Sequence, residues 1–100
     1  MTTKAPATFK ELSFGQHPAW PDGVQAIVRY PNGYGVSVIR ARKSYGGEAG
    51  LFEVAVLSEH SQGKWRIDYG TPITNYVIGY CTPRKVTSIM KRVAALEPKL

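Results

Sequence analysis

Cysteine is almost absent from this sequence: 100 residues contain one, Cys81. A single thiol cannot form an internal disulfide or a site that needs several cysteine ligands. The two histidines, His17 and His60, stand in no recognisable motif, and the zinc-site spacings C-x-x-C and H-x-x-x-H are missing. We therefore expect no metal site and no cofactor. Cys81 is expected to be a small core residue of a protein from a reducing compartment.

Long apolar runs are also lacking. No apolar stretch is longer than the four residues 54–57, whereas about 20 apolar residues are needed to span a bilayer. No apolar segment follows Lys4, as it would in a secretory signal. These absences predict a cytoplasmic protein that does not enter a membrane.

Acidic residues are scarce, because seven Asp and Glu face 13 Lys and Arg, for a net charge of +6. Two stretches, 29–43 and 84–92, contain bases and no acid. Their basic residues are Arg29, Arg40, Arg42, Lys43, Arg84, Lys85, Lys91 and Arg92. This charge is consistent with solubility alone, with docking on an acidic protein, or with phosphate contacts to nucleic acid.

Turn residues are plentiful and divide the chain into short elements. Two runs rich in β-forming residues, 24–30 and 35–42, flank Asn32-Gly33. Asn-Gly between such runs is typical of a hairpin with a type I′ turn, in which both residues take a positive φ. The first two strands are therefore predicted to be antiparallel neighbours.

Residues 51–58 and 64–69 predict the third and fourth strands, the latter by a clean alternation of apolar and polar residues. The positions expected to face the core are Phe52, Val54, Val56, Trp65, Ile67 and Tyr69. Residues 76–81 predict a short fifth strand or an extended connector.

A helix is expected at 83–96. Thr82 is a good N-cap, and Pro83 suits the first helical position because its missing N–H needs no partner there. The apolar positions Val86, Ile89, Met90, Val93 and Leu96 recur at helical spacing. The prediction is an α+β fold, a four- to five-stranded antiparallel meander with the C-terminal α-helix packed on one face. It spans 24–97 as a single domain after an irregular leader at 1–23.

No catalytic arrangement is recognisable in the sequence. Glu53 and Asp68 are the nearest approach to a paired carboxylate, yet charges on exposed strand faces are more often solvated. The glycines do not form a phosphate-binding loop. We therefore expect a binding protein rather than an enzyme.

The hairpin tip, the glycine-rich loop at 43–50 and the basic stretches are the expected contact surface, because tyrosine gives much contact area for little entropy loss. The candidate partner-binding residues are Arg29, Tyr30, Asn32, Tyr34, Arg40, Arg42, Lys43, Tyr45, Arg84, Lys85, Lys91 and Arg92. The tyrosines are equally consistent with cross-strand pairs inside the sheet. Dimerisation through an exposed edge strand also stays open.

Several segments in this order, namely 30–40, Tyr45-Gly46-Gly47, 50–57 and 71–80, resemble a group of small phage- and prophage-encoded proteins of unknown function. The resemblance implies an accessory inhibitor that blocks a bacterial defence or enzyme by stoichiometric protein–protein binding, of which an anti-CRISPR is one example. Its partner would be a bacterial host protein or a protein–nucleic-acid complex in the host cytoplasm. The alternative is an accessory protein that binds nucleic acid through its basic surface.

Overall fold

The computed structural model describes residues 5–98, so the first four residues of the expected leader lie outside the described part. Its elements are a 3-10 turn at Phe9–Glu11, β1 (Gly15–Gln16), β2 (Val24–Arg29), β3 (Tyr34–Arg40), a 3-10 turn at Gly47–Ala49, β4 (Phe52–Ser61), β5 (Lys64–Ile67), β6 (Ile78–Cys81) and α1 (Pro83–Ala94). The strands form one antiparallel sheet in the order β1-β2-β3-β4-β5, and β6 also pairs with β4. The predicted α+β fold is confirmed.

One short strand was not expected. β1 pairs Gly15 with Gln25 and Gln16 with Val24, and so adds a two-residue edge to the sheet within the segment expected to be irregular. A two-residue strand has no periodicity that a sequence pattern can show. The leader is therefore joined to the body by backbone pairing as well as by its aromatic side chains.

The turn between β2 and β3 differs from the prediction. Gly33 has a φ of 87°, but Tyr80 is the one non-glycine residue with a positive φ among residues 5–98, so Asn32 does not have one. The Gly33 N–H donates to the Tyr30 carbonyl at 3.2 Å, and the Tyr30 N–H donates to Tyr34 at 2.8 Å. Pro31 takes the first central position and fixes its φ, which favours a type I turn followed by a left-handed glycine. The type I′ prediction was wrong.

The hairpin from β4 to β5 contains an irregularity that reverses the faces of β5. Ser61 pairs with Lys64. Glu59, two residues before Ser61, pairs with Trp65, which is only one residue after Lys64, because the register shifts between Glu59 and Ser61. A one-residue shift moves every side chain of a strand to the opposite face. Trp65 and Ile67 consequently lie on the face away from the helix, and their predicted inward orientation was wrong. Tyr69 lies just beyond β5 and is 51% exposed, so its predicted burial was wrong too.

The core lies between one face of the sheet and α1. The even-numbered apolar residues of β2 to β4 meet the apolar stripe of the helix there, as the alternation and the helical spacing predicted. The fully buried members of this core are Val36, Val38, Val54, Val56, Cys81, Val86, Ile89, Met90 and Val93. Burial raises the pKa of the Cys81 thiol, which fits the expected core position.

Asn32 joins the β2–β3 turn to the end of the helix. Its side-chain amide donates to the carbonyl oxygens of Val93, Ala94 and Leu96 at 3.0, 3.3 and 3.1 Å. Its Oδ1 accepts the Tyr34 N–H at 3.0 Å. The last carbonyls of a helix have no partner within the helix, so this amide acts as a tertiary C-cap.

Replacing Asn32 by alanine is expected to lower the free energy of unfolding by about 1–2 kcal/mol, because partly buried carbonyls lose their donor. Asn32→Asp is expected to be worse at pH 7, since it places a negative charge at the negative end of the helix dipole, and to recover on acidification. Urea denaturation measures both. Asn75→Ala, at an exposed amide, is the control and should change stability by under about 0.5 kcal/mol. An Asn32→Ala protein as stable as this control would contradict the capping role.

Candidate functional site

The face of the sheet away from α1, here called the outer face, carries large apolar side chains that are open to solvent. Ile27 on β2 is 44% exposed and Ile67 on β5 is 38% exposed. The strand register aligns Arg29, Gly35, Leu57 and Ile67 in one row across four strands. The backbone ladder therefore orders the outer face, with Arg29 and Ile67 exposed at the ends of this row and Gly35 and Leu57 buried in its middle.

Trp65 and Arg29 pack together on this face. The Arg29 guanidinium carbon lies 5.5 Å from the centroid of the Trp65 ring, within the range of a cation–π contact. Arg29 is exposed and Trp65 is half-buried, so a positive charge and the largest aromatic side chain lie next to each other on the outer face. The centre of the outer face carries the small residues Gly35, Ser37 and Ala55. The larger side chains on either side therefore project further from the sheet than this centre.

Three exposed tyrosines form a second group, here called the tyrosine cluster: Tyr45, Tyr69 and Tyr76. The rings of Tyr69 and Tyr76 are nearly parallel, and both Tyr45 and Tyr69 have their ring centroids 6.2 Å from that of Tyr76. Each tyrosine exposes between 49% and 53% of its surface. The Tyr45 and Tyr76 hydroxyls lie 3.5 Å apart, and this hydrogen bond raises the pKa of Tyr45.

Tyr45 is fixed in place by its backbone. Its N–H donates to the Glu53 carboxylate at 2.8 Å, and its carbonyl accepts the Tyr80 N–H at 3.0 Å. Gly79 packs so closely that a Cβ there would lie 2.4 Å from the Cβ of Tyr45. Tyr80 takes a φ of 55°, which is costly for a bulky residue. The loop after β3 and the start of β6 therefore lock together around Tyr45.

The hairpin-tip residues that were predicted to bind a partner are mostly buried or hydrogen-bonded within the protein. Tyr30 is 7% exposed, donates its hydroxyl to the Pro6 carbonyl at 3.0 Å, and has its pKa raised to about 12, mainly by burial. Asn32 caps α1, as described above. Tyr34 is half-buried against the core. These three residues present little surface to a partner, whereas Arg29 and Tyr45 are exposed.

The basic residues of 29–43 do not form one surface. Arg29 lies on the outer face, whereas Arg40 pairs with Val24 on the opposite face and lies 5.2 Å above the Phe52 ring. The Arg42 N–H donates to the Asp22 carboxylate at 2.7 Å, and that bond, with the charges of Arg42 and Lys43, lowers the pKa of Asp22. Asp22, which is distant in sequence, therefore places a carboxylate beside the 29–43 stretch, which contains no acidic residue.

The basic residues of α1 remain together. Arg84, Lys85, Lys91 and Arg92 are all exposed. At 3.6 residues per turn they share an arc of about a third of the helix circumference, and α1 contains no acidic residue. The Thr82 hydroxyl accepts the Lys85 N–H at 3.2 Å, which confirms the predicted N-cap.

The residues considered for catalysis are dispersed. His17 Nδ1 accepts the N–H groups of Ala19 and Trp20 at 3.0 and 3.1 Å, and His60 is exposed near the end of β4 rather than in a turn. Asp68 accepts the Gly70 N–H at 2.8 Å. Within residues 5–98 no three His, Cys, Asp or Glu side chains group closely enough to hold a metal ion. In the same range, no helix has the length and apolar character needed to cross a bilayer.

The chain is thus a small α+β protein with one open, partly apolar sheet face. Comparison with protein-family models, with curated proteins and with solved structures finds no match to it. The case for a binding surface consequently rests on the chain itself.

Gly79→Ala is expected to displace Tyr45 and to lower the free energy of unfolding by about 1–3 kcal/mol, because the new methyl group would overlap the Tyr45 Cβ. Gly15→Ala is the matched control, since a Cβ at Gly15 meets no atom within 4 Å. Urea denaturation gives the stability, and the Tyr45 amide shift in NMR reports the loop. Equal effects of the two substitutions would contradict the locked arrangement.

Proposed function

We propose that the protein is a non-enzymatic binding module that acts by stoichiometric protein–protein contact through its outer face and tyrosine cluster. The observation that carries this proposal is the exposure of Ile27 and Ile67 on the same face as the Arg29–Trp65 pair. Tryptophan, tyrosine and arginine are the residues most enriched at the energetic centres of protein interfaces. Scattered exposed apolar residues are ordinary, but a group of them on one ordered face favours a partner.

The rigidity of this surface supports the proposal. Ile27, Arg29 and Ile67 are held by strand pairing, and Tyr45 is held by three separate contacts. A backbone that is already ordered loses little entropy on binding, so more of the contact energy appears as affinity. The expected partner presents an apolar patch with an acidic group opposite Arg29.

The resemblance to small phage proteins supplies the class of target. A bacterial defence complex or host enzyme would be inhibited by a basic protein that covers part of its surface. An inhibitor of this kind needs affinity and shape but no catalytic group. A second copy of the same chain is the competing occupant of the outer face, and the experiment below separates the two.

The test is affinity purification from bacterial lysate with the wild-type protein and with the double variant Ile27→Asp, Ile67→Asp. We expect the wild type to capture a protein that, once purified, forms a one-to-one complex and loses activity in it. The double variant should bind that protein at least about 100-fold more weakly, because it buries two carboxylates in an apolar contact. Isothermal titration calorimetry measures both affinities.

The matched control is Ser13→Asp, Ser88→Asp, which adds the same charge at two exposed positions, one in the leader and one on α1, away from the outer face. It should bind like the wild type, and circular dichroism should show that both variants are folded. Equal binding by the outer-face variant, or no specific capture, would refute the proposal. So would a wild-type protein that forms a dimer through the outer face at micromolar concentration, as sedimentation would reveal.

A second candidate function is favoured by the basic arc of α1. Arg84 and Lys85 lie in the first helical turn, where the helix dipole makes positive charge unfavourable. Lys91 and Arg92 continue the same arc for two further turns without an acid. Such a surface is suited to phosphate contacts along a nucleic-acid backbone.

The variant Arg84→Gln, Lys85→Gln, Lys91→Gln, Arg92→Gln tests this candidate. With a fluorescein-labelled DNA duplex, the logarithm of the wild-type affinity should fall with the logarithm of salt concentration, and the variant should reduce the magnitude of that slope by about 3.6 when all four cations contact phosphates. Fluorescence anisotropy measures the slope. The control Arg42→Gln, Lys43→Gln, Lys64→Gln, Arg66→Gln removes the same charge elsewhere. Equal slopes for both variants, or no binding at low salt, would refute nucleic-acid binding.

A further inference from the structure

A concavity of about 520 Å³ lies between the leader and the helix side of the sheet, apart from the outer face. Its lining residues are Phe9, Lys10, Leu12, Phe14, Val24, Arg40 and Phe52. This volume is within the range of about 300–1,000 Å³ that is usual for small-molecule sites. The lining combines an apolar floor with two cations.

The floor consists of three phenylalanine rings in mutual contact. The centroid of the Phe52 ring lies 5.0 Å from that of Phe9 and 5.6 Å from that of Phe14, and the Phe9 and Phe14 centroids lie 5.7 Å apart. The Phe9 N–H also donates to the Thr87 hydroxyl at 2.9 Å, which ties this wall to α1. The site is therefore formed by the tertiary fold.

Arg40 and Lys10 supply positive charge at this floor. The Arg40 guanidinium carbon lies 5.2 Å from the Phe52 ring centroid, within the range of a cation–π contact, and Arg40 is exposed, so a ligand can reach it. Lys10 is exposed on the 3-10 turn. None of the described residues that line this concavity is acidic.

Acidic residues do occur on the other side of Arg40. A neighbouring concavity of about 360 Å³ is lined by Asp22, Arg40, Arg42 and Glu48, among others. The Asp22 carboxylate accepts the Arg42 N–H at 2.7 Å, so it has a partner of its own. Arg40 thus lies between a concavity that contains both acidic and basic side chains and the apolar one, and its contact with Phe52 places it over the apolar one.

We infer that the phenylalanine concavity binds a small amphipathic anion, a carboxylate with an aliphatic or aromatic body. The three rings provide the apolar surface for the body. Arg40 and Lys10 provide the charge for the carboxylate, because both line the same concavity and a guanidinium can hold two carboxylate oxygens at once. A neutral molecule would leave the charge unused, and a cation would be repelled.

The test is an NMR titration of the full chain, labelled with ¹⁵N, with three ligands of equal chain length: octanoate, octan-1-ol and octylamine. We expect octanoate to bind about three- to tenfold more tightly than octan-1-ol, since exposed ion pairs add modest energy, and octylamine to bind most weakly. The shifted amides should be those of Phe9, Val24 and Phe52. Octanoate that binds no better than octan-1-ol, or that shifts other amides, would overturn the inference.

Arg40→Gln and Lys10→Gln should each weaken octanoate binding by about three- to fivefold and leave octan-1-ol binding unchanged. Lys64→Gln is the control, because it removes the same charge at an exposed position outside the concavity. If Arg40→Gln weakens both ligands equally, the arginine acts on the shape of the site alone and the charge argument is refuted. The outer face is untouched by these changes, so this result is independent of the proposed protein partner.

Discussion

Burial of the helix stripe against one face of the sheet is the constraint on which the rest of the structure depends. One helix of 12 residues provides the apolar cover, and it covers the even-numbered residues of β3 and β4. The buried face needs that cover because the apolar side chains there contribute most of the stability. The opposite face of the sheet has no helix over it among the described residues, and Ile27 and Ile67 are exposed there.

The irregularity between Glu59 and Ser61 decides what the outer face contains. The register shift reverses the faces of β5, so that Trp65 and Ile67 lie on the outer face with Ile27 and Arg29 and not in the core. Bulges commonly re-aim side chains near functional sites. The same shift explains why β5 is largely exposed although its apolar and polar residues alternate regularly. The core does not depend on β5, because the leader and β6 supply Phe9, Phe14 and Cys81 in addition to the main strands.

Folding also redistributes the charge. The stretch 29–43 looks uniformly basic along the chain, but Arg29 and Arg40 end on opposite faces and Asp22 approaches Arg42. The helix keeps its four cations on one arc, because residues seven apart return to nearly the same direction. The protein therefore presents three distinct surfaces: a partly apolar outer face, a basic helix face, and a concavity whose floor is aromatic and whose cations are Arg40 and Lys10.

The sequence by itself determined the α+β class, the positions of β2 to β5, the Thr82 cap and the burial of Cys81, and it left β6 open as a strand or an extended connector. These features depend on local periodicity and on residue chemistry within a few positions. The tertiary structure alone decided the faces of β5, the tyrosine cluster and the three-phenylalanine floor. Each of these depends on contacts between residues far apart in sequence, or on a one-residue register shift. An alternating pattern shows that a strand has two different faces, but it does not show which of them meets the helix.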